Sequence, residues 1–149
     1  PEAAPALGPA LVDLPAGPLL QTVVAKEEAV EAIEALGAKG CFKLVHDTFH
    51  HHLAHGGPIY AEHTGIVHVS GVVDQTLAVS EMRDGHRVLV DGRDRLGNIE
   101  QLRALAAAGY AGPVSFEPFA KEVHDLADPV AALAESMEFI RSRLAARAA

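Results

Sequence analysis

A chain of 149 residues, 49% hydrophobic and 21% charged, carries enough apolar material for one buried core, which excludes a disordered or fibrous polypeptide. Twelve basic against twenty acidic residues leave a net charge of −8, so the surface as a whole repels phosphate backbones and does not favour a nucleic-acid partner. The one cysteine, Cys41, has no disulfide partner within the chain, no apolar run could cross a bilayer, and the opening residues lack a signal-peptide pattern; these features predict a cytoplasmic setting and no membrane partner.

In chain order, Pro9 to Leu14 forms a first candidate strand, cut short by Pro15 and Pro18. Lys26 to Leu36 sets Ala29, Ile33 and Leu36 on one helical face, and Gly37 with Gly40 ends it. Residues 41–46 are short, largely apolar and partly β-branched, as a buried strand requires. The default exposure of polar residues predicts that His51, His52 and His55, just beyond, are solvated. A further strand is predicted at 65–70. The long stretch from Gly71 to Gly97 follows, a length that marks a functional or disordered loop. Asn98 is the expected cap of a helix through Ala108 that presents Ile99, Leu102 and Leu105. Residues 112–117 form the last predicted strand. Asp128-Pro129 opens the last helix, whose predicted apolar face is Val130, Leu133, Met137, Ile140 and Leu144.

Short apolar strands alternating with amphipathic helices predict parallel βαβ units. Four such units fit half of an eight-stranded barrel, which takes about 250 residues, or a small open sheet. Asp47 and His50 follow one strand, His68 lies within the next and Glu117 ends the last, so all four fall at the carboxyl mouth of a parallel sheet. Carboxylates with imidazoles and no thiolate suit a divalent ion such as Mn, Co, Zn or Mg. Within the long loop, Arg87 is a candidate clamp for substrate oxygens, and Asp84 with His86 a candidate pair for a second metal.

Three segments, His46-Asp47-Thr48-Phe49-His50, Val67-His68-Val69-Ser70-Gly71 and Ser115-Phe116-Glu117-Pro118-Phe119, occur in this order and resemble the xylose isomerase-like TIM barrels. Within that superfamily the chain is similar to the sugar phosphate isomerase/epimerase group that includes 2-keto-myo-inositol isomerase; endonuclease IV is a more distant member. The resemblance spans roughly residues 10–145, on the four-units-per-half arithmetic of the fold. It implies a (β/α)8 TIM barrel of which this chain supplies the last four βα units, strands five to eight, with the N-terminal half lying outside it. It further implies a single divalent ion held by Asp13, Asp47, His68 and Glu117, with Asp13 standing where the family has Glu. His50 and Arg87 would bind the substrate, a keto-sugar or keto-inositol, and Asp13 and Glu117 would move its proton through an enediolate held on the metal. Asp84-Gly85-His86 resembles the Asp-x-His that supplies further zinc ligands in the endonuclease branch, so a metal-dependent phosphodiesterase is the alternative, and a non-catalytic barrel fragment or assembly subunit a third reading. A half-barrel with two open edges is expected to form a homo-oligomer or to pair with its N-terminal half.

Overall fold

The computed structural model describes residues 10–12 and 26–146. Four parallel strands, β1 (Ala10–Val12), β2 (Phe42–Asp47), β3 (Thr64–Val69) and β4 (Val114–Phe116), lie side by side in sequence order. Helices α1 (Lys26–Ala35), α2 (Thr48–Leu53), α3 (Asn98–Ala107), α4 (Lys121–His124) and α5 (Pro129–Ala145) connect or follow them. Among the described residues no helix is long and apolar enough to cross a membrane. Strand and helix positions follow the sequence pattern to within one or two residues, the usual slack at element ends.

Alternation along the strands decides what faces where. In β3, Val67 and Val69 are fully buried and pack with Val90, Leu102, Leu105 and Ile140 under α3 and α5. His68, between them, therefore projects from the opposite face. In β2, Leu44 packs on Ala29 and Ile33 of α1, which leaves Val45 and Asp47 on the face shared with His68. Register completes the arrangement: Asp47 pairs with His68, Val69 pairs with Phe116, and the Glu117 amide donates to the Val69 carbonyl at 2.9 Å. Three strand ends thus bring an aspartate, a histidine and a glutamate to one level of the sheet.

The loop from Gly71 to Gly97 is ordered by a core of its own, in which Phe49, Val72, Met82 and Leu96 are buried together. An antiparallel bridge fastens its start to its middle, with the Gly71 amide donating to the Val88 carbonyl at 2.7 Å and the Val88 amide returning at 2.8 Å. A side chain at position 71 would put its Cβ 3.0 Å from the Leu89 carbonyl oxygen, so the close approach needs glycine. This bridge delivers Arg87, the neighbour of Val88, to the strand ends.

Leu36, expected on the buried face of α1 with Ala29 and Ile33, lies just past the helix end and is 78% exposed, and two further details of the fold differ from the sequence reading. Asn98 does not cap α3: Asp94 accepts from the amides of Leu96 and Asn98 at 3.1 Å, and Gly97, at φ 72°, turns the chain in the left-handed region into the helix. Asn98 is instead the first helical residue, buried, its amide nitrogen donating to the Ser70 carbonyl at 2.8 Å and to Asp94 at 3.0 Å. Replacing Asn98 by Ala strands that carbonyl, so a loss of about 2 kcal/mol is expected in urea unfolding; a loss under about 0.5 kcal/mol, the level of a surface change, would show the bond to be inconsequential. The second difference is the face of α5, where Ile140 is buried as expected but Val130 and Met137 are exposed. Ser136 takes a buried place in their stead because its hydroxyl donates to the Val90 carbonyl at 2.6 Å, a bond that turns the helix toward the loop as well as the sheet. Asp128 caps α5 as predicted, accepting from the Ala131 amide at 2.9 Å, with Pro129 in the first turn.

Candidate metal centre

Asp47 closes β2 and opens α2. Its Oδ1 accepts from the amides of Phe49 at 2.8 Å and His50 at 3.3 Å, satisfying helix-start donors that have no partner within the helix. The second oxygen, Oδ2, accepts from Arg87 Nη2 at 2.8 Å. The same Nη2 donates to Glu117 Oε2 at 2.7 Å, so one guanidinium nitrogen joins the two carboxyls. Arg87 Nε donates to Ser70 Oγ at 2.9 Å, and Nη1 reaches the exposed Asp84 at 3.3 Å.

Glu117 Oε1 lies 3.1 Å from His68 Nδ1, yet that ring nitrogen is buried and has no hydrogen-bond partner. The atoms are close, but the pair is not aligned as donor and acceptor. An unsatisfied buried nitrogen beside a carboxylate is costly and fits a shared electrophile. One atom each from Asp47, His68 and Glu117 lie within 4.8 Å of one another, and among the described residues these three form the one group of that kind. Donors about 2.0–2.2 Å from a zinc-sized ion stand roughly 3–4 Å apart, so a small inward adjustment closes the set.

Environment separates the two acids. Burial pushes the Asp47 carboxyl up, but the Arg87 charge, a hydrogen bond with Glu117 and the His50 contacts outweigh it and hold the group below the usual carboxylate range. Burial and the bond to Asp47 push Glu117 up, and the pull of His68 and Arg87 does not reverse it. Asp47 is therefore the fixed anion of the pair, while Glu117 is the one suited to holding or releasing a proton.

Of the other residues singled out from sequence, His50 stands beside the centre, half-buried, with its ring edge-on to Phe49 at 5.4 Å. Asp84 touches Arg87 from the solvent side. His86 is exposed, its Nδ1 accepting the Arg83 amide at 2.9 Å within its own turn. Asp13 lies outside the described residues. Sequence reasoning missed Ser70 and Phe119 as holders of Arg87, and it missed a polar cluster behind the centre. There, on the helix-facing side of β2, Lys26 Nζ donates to Nδ1 of His46 at 3.1 Å and to Nδ1 of His51 at 3.2 Å. His46 Nε2 meets Gln101 Oε1 at 3.0 Å. The expectation that His51 is solvated is thus corrected: it is buried, its ring centroid 4.8 Å from that of His46 with the planes tilted by 43°, because the first turn of α2 folds back over β2. Desolvation, then the Lys26 charge, brings both imidazoles down to about 4, and desolvation brings Lys26 down to about 8.

A parallel α/β sheet with its ionisable residues at the strand ends defines the molecule as an α/β protein of the barrel or open-sheet type. The family profile of the xylose isomerase-like TIM barrels matches residues 15–143, and the chain belongs to that family. Its fold is similar to that of a xylose isomerase domain containing protein from Salmonella typhimurium, with a TM-score of 0.74, 27% identity, 92% of this chain covered and 50% of that one. A xylose isomerase domain protein from Alicyclobacillus acidocaldarius aligns at 0.64 and 25% identity, covering 83% of this chain and 44% of that one. The IOLI protein, whose crystal structure holds a zinc atom, shares the fold at 0.65 and 22% identity, with 80% and 43% covered. The chain spans about half the length of these relatives. Comparison with curated proteins gave no match. The four βα units described above are accordingly part of a (β/α)8 barrel, as the sequence predicts.

Proposed function

We propose that this chain carries most of the active site of a divalent-metal-dependent isomerase or epimerase acting on a keto-sugar or keto-inositol. The observation that carries the reading is the convergence of Asp47, His68 and Glu117 within 4.8 Å at the strand ends. Asp47, His68 and Glu117 would hold the ion, with Asp13 as a fourth donor, and the ion would supply Lewis-acid polarisation of a substrate carbonyl. Glu117, raised above the ordinary carboxylate range by burial, is matched to taking a proton from a carbon beside a carbonyl and returning it. His50, beside the centre, would orient a substrate hydroxyl. A zinc atom in the structure of the IOLI protein supports the metal part. The phosphodiesterase alternative gains nothing from Asp84 and His86, which are exposed, Asp84 paired with Arg87 and His86 accepting from the Arg83 amide within its own turn.

The four units are read as strands five to eight of the barrel. Support comes from the half-length span of the relatives and from the edge strands β1 and β4, each of which has one strand neighbour among the described residues. A second half-barrel, from upstream sequence or another copy, would cover edge residues such as Val114 and complete the substrate pocket. The test is metal content and exchange together: the purified protein is expected to bind about one zinc, manganese, cobalt or magnesium ion per chain, and to wash deuterium from D2O into a keto-inositol or ketohexose. Neither a stoichiometric ion nor exchange on any such substrate, with the barrel completed, would sink the proposal.

A further inference from the structure

The sequence assigns Arg87 to substrate, yet the side chain is 1% exposed and already committed. The rings of Phe49 and Phe119 both pack against it, each centroid 4.9 Å from Cζ. Ser70 takes the Nε hydrogen, Asp47 and Glu117 take the two on Nη2, and Asp84 takes one on Nη1. Four of five N–H groups are thereby used inside the protein. A planar guanidinium packed against two rings and anchored on a serine cannot swing out to meet a ligand without breaking all of these contacts.

The carboxyls it joins face an electrostatic problem. Two acids at one site repel when both are ionised, and without a cation the strand ends would be pushed apart. We propose that Arg87 is a positioning residue that serves as the site's permanent counter-cation: it holds Asp47 and Glu117 in place when no divalent ion is bound, and it loosens that ion's affinity by like-charge repulsion. The second half rests on the metal reading above; the first does not. Charge alone is not enough for the role, because one nitrogen must reach two carboxyls while another is anchored on Ser70. Lysine, with a single ammonium and no planar fork, reproduces the charge and not the geometry.

The test uses the full chain with Arg87→Met, Arg87→Lys and the pair Arg87→Met with Glu117→Gln, each melted in excess chelator and in zinc. In chelator, Arg87→Met is expected to melt about 10 °C below the parent, since it leaves a buried carboxylate pair without its partner. Adding Glu117→Gln to it should raise the melting temperature again by removing one of the stranded charges. Zinc should raise Arg87→Met by more degrees than it raises the parent, and titration should give a zinc dissociation constant about tenfold tighter, with Arg87→Lys between the two. If Arg87→Met does not fold in chelator, it is expected to fold when zinc is present or Glu117→Gln is added. A mutant that melts with the parent in chelator, that is not improved by Glu117→Gln, or that binds zinc more weakly than the parent overturns the proposal. A parent that takes up no zinc would remove the metal reading, while the chelator comparison would still decide whether Arg87 holds the carboxyls.

Discussion

Replacing Glu117 by Gln is expected to lower proton exchange on the substrate about a thousandfold, with the fold retained. General acid–base groups contribute about 10²–10⁴ in rate, and Glu117 is the acid whose environment keeps its proton available, being pushed up by burial and by its bond to Asp47. The amide keeps an oxygen that can accept from Arg87, whose Nη2 now reaches Oε2 at 2.7 Å. It keeps the backbone bond from the Glu117 amide to the Val69 carbonyl as well. What it loses is the exchangeable proton, the full negative charge toward His68 and, in the proposed site, one anionic donor to the ion. The loss should therefore persist in turnover when zinc content is restored to that of the parent, and circular dichroism should remain that of the parent. Turnover within tenfold of the parent would remove Glu117 from the chemistry and leave it as a ligand alone. The neighbour sets the contrast: Asp47, held low by Arg87 and doubly bound through Oδ1 to backbone amides, is too committed as cap and counter-ion to shuttle protons.

Why Asp47, His68 and Glu117 were legible from sequence follows from strand geometry. A period of two sends alternate residues to opposite faces, and parallel strands in register put their carboxyl ends at one level. Hence three polar residues at the ends of three apolar runs already predict one site. Arg87 was visible as a cation in a long loop, but its partners were not. The Gly71–Val88 bridge and the Phe49 and Phe119 stack that hold it are contacts between segments far apart in sequence, which no local period encodes. Asn98 shows the same limit on a smaller scale. Its residue type suits a cap, yet Asp94, four residues earlier, takes that place because Gly97 lets the chain double back. The burial of His51 was hidden for a related reason. A run of three histidines after a strand carries no apolar stripe, so nothing local tells that one of them meets a lysine and a second histidine across the sheet face.

That buried pair leads to the other large effect, a steep loss of stability between pH 6.5 and 4. Unfolded, the imidazoles of His46 and His51 take a proton near 6.5; folded, desolvation and the nearby Lys26 ammonium hold them neutral down to about 4. Within that window the unfolded chain binds the extra protons, so the stabilisation is fully present above 6.5 and disappears as pH falls to about 4. At about 1.4 kcal/mol per unit, the cost is on the order of 3 kcal/mol for each histidine. The hydrogen bonds agree with the sign. Lys26 can only donate, so both Nδ1 atoms must accept, and His46 Nε2 carries the hydrogen offered to Gln101. Protonating either ring sets an N–H against the ammonium and breaks that bond. Lys26 itself, brought down to about 8 from 10.5 by desolvation, works in the same direction at higher pH, where stability should rise between 8 and 10.5. Urea unfolding followed by circular dichroism at pH 7, 5.5 and 4.5 measures the first window. His51→Phe, which fills the space and takes no proton, should flatten the parent's decline by about half, and Lys26→Met should make the decline shallower and end it at a higher pH, because removing the repelling charge lets the folded imidazoles take their protons nearer 6.5. Asp47, depressed by Arg87, titrates below this range, and Glu117 is common to both proteins, so the difference between parent and His51→Phe isolates the imidazole. Equal pH dependence in the two proteins would show that His51 takes up its proton without strain, and that the cluster behind the metal centre is solvated after all.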